Sequence, residues 1–219
     1  MKKKITLTLA LLAGVLAVAV GVVWAAPVMT VSDWQITGNQ HTPAAEIRTA
    51  TGITDGDNIA RADLKSASAA VAGLPWIKQA TVKRRLPSTI IVEVTERVPV
   101  MVVDRPDGPH LVDQDGVPFI IAEPGPGLVP VTGTPDGDGK VLAAVAGVIE
   151  RVPEHLRPRI ASIDAPDRFS ITLATTDGKT IVWGSTDNAA AKAVALGIAV
   201  DQEGTVINIS DPSQMAVRD

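Results

Sequence analysis

Residues 75–97 place the tightest constraint on the fold, because two alternating runs flank a turn. In the first run Ala80, Val82, Arg84 and Leu86 share one face, and Thr81, Lys83 and Arg85 share the other. In the second, Ile90, Val92 and Val94 oppose Ile91, Glu93 and Thr95. A period of two with apolar residues on one side specifies a β-hairpin with one buried face, its register fixed by that face and the turn. Pro87 is expected at the second turn position, where its φ suits type I geometry. Lys83 and Arg85, with Glu93 and Glu96 nearby, read as a solvated strand face. The same basic set also suits an anionic lipid or an acidic partner.

Upstream, Met1 and three lysines precede Ile5–Ala26, a run of 22 residues without a charge. At about 1.5 Å per residue it reaches roughly 33 Å, enough for a hydrocarbon core of about 30 Å. A removable signal peptide has a shorter apolar region of about 7 to 15 residues, although Val23-Trp24-Ala25 also reads as a loose cleavage site. Length favours a retained transmembrane helix, with Lys2, Lys3 and Lys4 cytoplasmic and Trp24 at the far interface. Everything after Pro27 is then outside. The chain carries 20 Lys+Arg and 24 Asp+Glu, and without the three N-terminal lysines the balance is 17 to 24. A nucleic-acid binder would need a basic footprint instead. With no cysteine, disulfides and thiolate metal sites are excluded, and burial must hold the outer part together, as about two domains.

Val28–Gly38 reads as a first strand around Val31, Trp34 and Ile36. Thr42-Pro43 starts a short helix, with Thr42 accepting from first-turn amides, Pro43 at the first helical position and Gly52 as a left-handed cap. A second helix spans Ala62–Ala72. With the hairpin, the order is β-α-α-β-β, an α+β unit whose three-stranded sheet is covered on one face by helices. Beyond Pro99, short strands are expected at Val100–Asp104, Leu111–Asp113 and Val117–Ile121. Glu123–Gly139 reads as loop and Val141–Val152 as an amphipathic helix stopped by Pro153. Strands resume at Arg159–Asp164, Phe169–Thr175 and Thr180–Trp183. Gly184-Ser185-Thr186-Asp187 caps a helix to about Val200, and Thr205–Ser210 and Gln214–Arg218 end the chain as strands. Trp34, Trp76 and Trp183 lie in apolar patterns and read as core anchors.

Leu74-Pro75-Trp76-Ile77, Val82-Lys83-Arg84-Arg85-Leu86-Pro87 and Val92-Glu93-Val94-Thr95-Glu96-Arg97-Val98-Pro99, in this order, resemble the polypeptide-transport-associated (POTRA) domain of the FtsQ/DivIB family of bacterial division proteins. The Thr-Glu-Arg-x-Pro close is the most specific piece. Leu111–Phe119, Val182-Trp183-Gly184 followed by Lys192, and Val206–Ser210 are similar to the β domain of that family. The resemblance implies a cytoplasmic tail over 1–4, a transmembrane helix over 5–26, a POTRA domain over 28–97 and a mixed α/β, strand-rich β domain over 98–219. The tail is shorter than in many members. The resemblance further implies a non-enzymatic plasma-membrane scaffold at the division septum. Its partners would be FtsB-like and FtsL-like membrane-anchored proteins and, through them, the septal peptidoglycan synthase complex. In this family the terminal strand of the β domain receives a strand from FtsB. Carried over, that site is Ser213, Gln214, Met215, Ala216, Val217 and Arg218, without the aromatic residues often present there. The alternative is an inert edge blunted by Arg218 and Asp219.

His41, His110 and His155 have no partner at metal-ligand spacing and read as surface or capping residues. Asp55-Gly56-Asp57, Asp113-Gln114-Asp115-Gly116 and Asp136-Gly137-Asp138-Gly139 invite a calcium reading. None continues into an EF-hand series, and Asp-Gly is ordinary turn chemistry. Ser-x-x-Lys, Gly-x-Ser-x-Gly, His-Glu-x-x-His and a phosphate loop are all missing. No catalytic residue, cofactor or small-molecule substrate is therefore assigned. Two other classes stay open. One is a POTRA-bearing secretion or assembly chaperone, which would usually repeat the domain and precede a barrel. The other is an exported glycan hydrolase using two carboxylates.

Overall fold

A computed structural model of the chain describes residues 14–15 and 29–218. The transmembrane helix expected over residues 5–26 lies outside the described residues, save for Gly14 and Val15. Among the described residues, no helix is long and apolar enough to cross a membrane. The chain divides into two compact units, Met1–Glu96 and Arg97–Asp219.

The first unit has the β-α-α-β-β order: β1 (Asp33–Thr37), α1 (Ala44–Ala50), α2 (Leu64–Ala72), β2 (Ile77–Arg85) and β3 (Thr89–Glu96). Its sheet runs β1-β3-β2, with β1 parallel and β2 antiparallel to the central strand. The hairpin pairs Ala80 with Val94, Val82 with Val92 and Arg84 with Ile90, in the register that brings the apolar residues together. Val82, Ile90, Val92 and Val94 are buried against Ile47 of α1 and Ala67 and Val71 of α2. Arg84 shares that face but reaches its rim, where the guanidinium donates to the carbonyls of Ile59, Ala60 and Ala62. On the other face Lys83 pairs with Glu93 at 2.6 Å. Two expectations at the turn fail. Leu86 is 57% exposed, and the Leu86–Pro87 bond is cis, a geometry of type VI turns and not of type I.

The start of α1 also differs from expectation. Pro43 is its N-cap without a side-chain bond, and Thr42 Oγ1 is buried without a partner. The amides just before the helix are instead satisfied by Glu96, the last residue of β3. Its carboxylate accepts from the backbone N–H of Gln40 at 3.0 Å and of His41 and Thr42 at 2.9 Å. A carboxylate offers about four lone-pair sites and so can take several donors at once, which one hydroxyl cannot. His41 Nδ1 lies 2.9 Å from the same carboxylate, and its ring stacks on Trp76 with centroids 3.9 Å apart. Gly52 does adopt the left-handed conformation after α1, with φ 67°. The second helix starts at Leu64 because Asp63 caps it, accepting from Ser66 N. Trp34 and Trp76 are only half-buried, although Trp34 packs against the edge of the core. The Trp34 indole N–H donates to Asp55 at 2.9 Å and the Arg48 guanidinium lies over its ring, so the need for a polar partner holds the side chain at the rim.

The second unit is a nine-stranded mixed sheet in the order β12-β11-β10-β9-β8-β7-β4-β5-β6. Its strands are β4 (Pro99–Arg105), β5 (Gly108–Asp113), β6 (Pro118–Ile121), β7 (Val129–Thr132), β8 (Ile160–Asp164), β9 (Ile171–Thr175), β10 (Thr180–Gly184), β11 (Val206–Asn208) and β12 (Ala216–Arg218). Its helices are α3 (Gly139–Arg151) and α4 (Ala189–Ala199), with a 3-10 turn at Glu154–Arg159 that was not foreseen. The stretch Glu123–Gly139 is not all loop, since β7 lies within it, parallel to both β4 and β8. Helix α4 begins after Asn188, which has φ 52° and makes no side-chain cap. Its expected cap residues bond each other, Ser185 Oγ donating to Asp187 at 2.9 Å. Trp183 is fully buried, as expected, in a core shared with Met101, Val145, Ile163, Leu173, Leu196 and Ile207. Asp113 is also fully buried. It pairs with Arg97, and its other oxygen accepts from the amides of Asp115 and Val117 at 2.9 Å, so Asp113-Gln114-Asp115-Gly116 is a turn organised by its own first carboxylate.

Burial alone would push the Glu96 carboxyl up. The hydrogen bonds from the Thr42 amide, the His41 amide and ring, and the Gln40 amide outweigh it and bring the pKa down to about 2 from an ordinary 4.5. A depressed folded value means that this contribution is present above about pH 4.5 and is lost as pH falls towards 2. Glu96→Gln should therefore destabilise the first unit by roughly 2 kcal/mol at pH 7, read as amide-exchange protection of residues 29–96. The gap from the parent chain should close near pH 2; an equal gap at both pH values contradicts the assignment.

Candidate partner-binding edge

A nine-stranded open sheet has two ends, here β6 and β12. Among the described residues, strand β12 pairs only with β11, antiparallel, matching Val206 to Arg218, Ile207 to Val217 and Asn208 to Ala216. All three of its residues are exposed. Its outer side thus carries backbone donors and acceptors with no neighbouring strand among the described residues, the arrangement that permits strand addition. Beneath it, Ile207 is fully buried, so the edge is rooted in the core.

The six residues singled out in the sequence divide into three groups. Ser213 and Gln214 belong to a turn: Asp211 Oδ1 accepts from Ser213 N at 3.0 Å and from its hydroxyl at 2.6 Å, and Gln214 N donates to the Asp211 carbonyl at 3.1 Å. An aspartate that captures the amide two residues on holds the chain in a turn, so the strand begins later than Gln214. Met215 packs against the core of the unit. Ala216, Val217 and Arg218 form the strand proper. Its closure depends on Gly204, at φ 117°, where a Cβ would lie 2.5 Å from Val217 Cγ1 and 3.1 Å from the Arg218 carbonyl. The adjacent Thr205 N–H donates to that carbonyl at 2.9 Å.

Beside the turn that leads into the edge lies a largely apolar groove of about 460 Å³, lined by Ala191, Val194, Ala195 and Ile198 of α4 and by Pro212, Ser213 and Met215. Val194 is 71% and Ile198 51% exposed. Sequence reading did not find this pair, because α4 is apolar but for Lys192, which is itself buried, and offers no polar stripe to separate core from surface. A second hollow, of about 360 Å³, lies between Val103, Val112 and Leu142. The polar side chains lining it are paired internally, Arg105 with Asp136 at 2.6 Å and His110 with Asp107 at 2.9 Å. The His110 hydrogen bond holds the Asp107 carboxyl below its usual range. Among the described residues, no three His, Cys, Asp or Glu side chains are grouped to hold a metal ion.

Two family profiles match the chain. The POTRA domain, FtsQ-type, covers residues 29–97, and cell division protein FtsQ/DivIB, C-terminal, covers residues 101–215. The chain is 39% identical to the cell division protein FtsQ of Corynebacterium glutamicum over 225 aligned positions, covering all of both proteins. It is 34% identical to FtsQ of Mycolicibacterium smegmatis, over 95% of this chain and 63% of that protein. It is 32% identical to FtsQ of Mycobacterium tuberculosis, over 95% of this chain and 68% of that protein.

Gly204→Ala should strain the backbone and press on Val217, at a cost of about 1–3 kcal/mol confined to the terminal pairing. Amide exchange at Thr205 and residues 216–218 should quicken while that of β4 and β5 stays as in the parent. Unchanged exchange at Thr205 would show that the close approach is not needed.

Proposed function

The chain belongs to the FtsQ/DivIB family of bacterial cell-division proteins, and on that premise we propose that it is a non-enzymatic scaffold of the division machinery. In this reading a single helix over residues 5–26 anchors it in the plasma membrane with a cytoplasmic N-terminus. The POTRA domain (28–97) and β domain (98–219) lie outside, at the septum. An FtsB-like protein adds a strand along Ser213–Arg218, an FtsL-like protein joins through it, and the pair links the scaffold to the septal peptidoglycan synthase.

The observation that carries this reading is the open β12 edge with an apolar groove beside it. Strand addition draws direction from main-chain hydrogen bonds and specificity from flanking side-chain pockets, which suits reversible assembly between membrane-anchored proteins. The acidic balance of the outer part fits protein partners better than nucleic acid.

Val217→Pro removes one amide and fixes φ in a three-residue strand. It, or deletion of residues 214–219, should abolish co-purification with the FtsB-like protein of the same cell while leaving amide protection of residues 29–96 intact. Undiminished co-purification would remove the site assignment. A fluorescent fusion should form a mid-cell band in dividing cells, and uniform membrane signal would speak against the scaffold.

A further inference from the structure

At the turn between β2 and β3, Arg84, Arg85, Leu86 and Pro87 are all exposed, Leu86 by 57%. Lys83 is neutralised by Glu93, whereas Arg84 is held by the carbonyls of Ile59, Ala60 and Ala62, which leave its charge uncompensated. Among the described residues, no carboxylate pairs with Arg84 or Arg85. One carboxylate touches the turn: Asp33 accepts from the hydroxyls of Ser32 and Ser88 at 2.8 and 3.0 Å. The acids of the neighbouring loop are engaged within the unit, Asp55 by Arg48 and Trp34 and Asp57 by Thr54. Two guanidinium charges beside an exposed leucine and proline make a tip that is both basic and apolar. That composition suits a lipid interface, where apolar side chains enter the headgroup boundary and cations meet lipid phosphates.

The tip lies at the end of the unit where the chain enters it. Strand β1 runs parallel to β3 from Asp33 beside Thr89, so its start adjoins the turn, and the amides of Ser32 and Asp33 donate to the Ser88 carbonyl at 3.0 and 3.2 Å. Just before, the chain is tied to a loop: Val31 N donates to the Asp57 carbonyl at 2.9 Å and Ile59 N to that of Met29 at 3.1 Å. Arg84 in turn binds the Ile59 carbonyl, so entry segment, loop and hairpin tip form one hydrogen-bonded end. The uncharged run Ile5–Ala26 stops three residues before Met29. Three residues reach at most about 11 Å, whereas the sheet is roughly 23 Å tall from Thr89 to Glu96. With residues 5–26 as a membrane anchor, the tip is therefore tethered close to the bilayer surface, and Gln40 and Glu96 lie at the far end of the strands. A tether this short gives the tip a high effective concentration over lipid, so a contact too weak to hold a free domain is enough.

We propose that the turn between β2 and β3 is a membrane-contact site: Leu86 and Pro87 enter the headgroup region of the outer leaflet, and Arg84 and Arg85 meet the phosphates of anionic lipids. The contact fixes the first unit on the bilayer by its entry end. The proposal rests on the reading of residues 5–26 as a membrane anchor.

Because the chain has no cysteine, a fluorophore can be placed at single sites of the full-length protein in phosphatidylcholine vesicles with or without phosphatidylglycerol. Lys83→Cys puts it beside the tip with Leu86 intact, Gln40→Cys at the far end of the sheet and Val15→Cys within the apolar run. A nitroxide on the lipid headgroup should quench the Lys83→Cys label about threefold more than the Gln40→Cys label in anionic vesicles. Leu86→Asp, added to Lys83→Cys, should bring quenching down to the Gln40→Cys level; Arg85→Gln, or leaving out phosphatidylglycerol, should cut it by about half. Both substitutions alter exposed side chains at the turn, and amide protection of residues 29–96 shows that each variant is folded. Equal quenching of the Lys83→Cys and Gln40→Cys labels, or quenching indifferent to Leu86→Asp, would overturn the proposal, and the basic tip would then face protein. A nitroxide deep in the acyl chains reads the Val15→Cys label separately. Strong quenching there with none at Lys83→Cys keeps the anchor and overturns the contact. No quenching at Val15→Cys overturns the anchor, and the contact then stands or falls on the Lys83→Cys label alone.

Discussion

The backbone groups of an edge strand are the constraint around which the second unit is arranged. Interior strands exchange hydrogen bonds with two neighbours, whereas among the described residues β12 has β11 on one side alone. Such a strand must either be protected or used. At the opposite end, β6 opens with Pro118, which lacks an amide to offer. No proline lies within β12, and its three residues are all exposed. The two ends of one sheet therefore differ in how open their backbones are to another chain.

Where the two units meet in sequence, consecutive residues serve different interiors. Glu96 gathers the amides of residues 40–42 in the first unit, and Arg97 compensates the fully buried Asp113 in the second. Neither role tolerates a neutral replacement easily, since several donors aim at one carboxylate and one buried carboxylate needs its guanidinium. This gives a physical reason for the Thr-Glu-Arg-x-Pro pattern that was the most specific point of resemblance in the sequence.

Much of the architecture was legible wherever the pattern had one strong period and a polar opposite face. The hairpin register from Ala80 to Val94 is the clearest case, and the amphipathic α3, ended by Pro153, is another. Features governed by distant partners were not legible. Glu96 acts on residues more than fifty positions away, and nothing local marks it as the substitute for a helix cap. Strand β7 was hidden because only Val129 and Val131 alternate within a stretch crowded by Pro124, Pro126, Pro130 and Pro135; two strand neighbours, not propensity, extend it. At the edge, the chain segment was recognisable, but its division into turn and strand depended on Asp211, and the groove depended on which side of α4 meets the core, where its one charged residue, Lys192, is buried and Val194 and Ile198 are exposed.

On the reading of β12 as a binding edge, the shortness of the strand decides how the interaction must be built. Three residues offer few outward backbone groups, and each hydrogen bond contributes only about 0.5–1.5 kcal/mol net. Association itself costs at least several kcal/mol of lost freedom, on the order of 4–15. Burying a Val, Ile or Met side chain contributes about 1.5–3 kcal/mol. Val194, Ile198 and Met215, lining the groove beside the strand, can therefore supply more than the ladder does. The division of labour follows: the backbone of β12 dictates the direction and register of the incoming segment, and the α4 groove supplies most of the affinity. A partner suited to both must carry an extended stretch for the edge and, within a few residues of it, apolar side chains that reach α4.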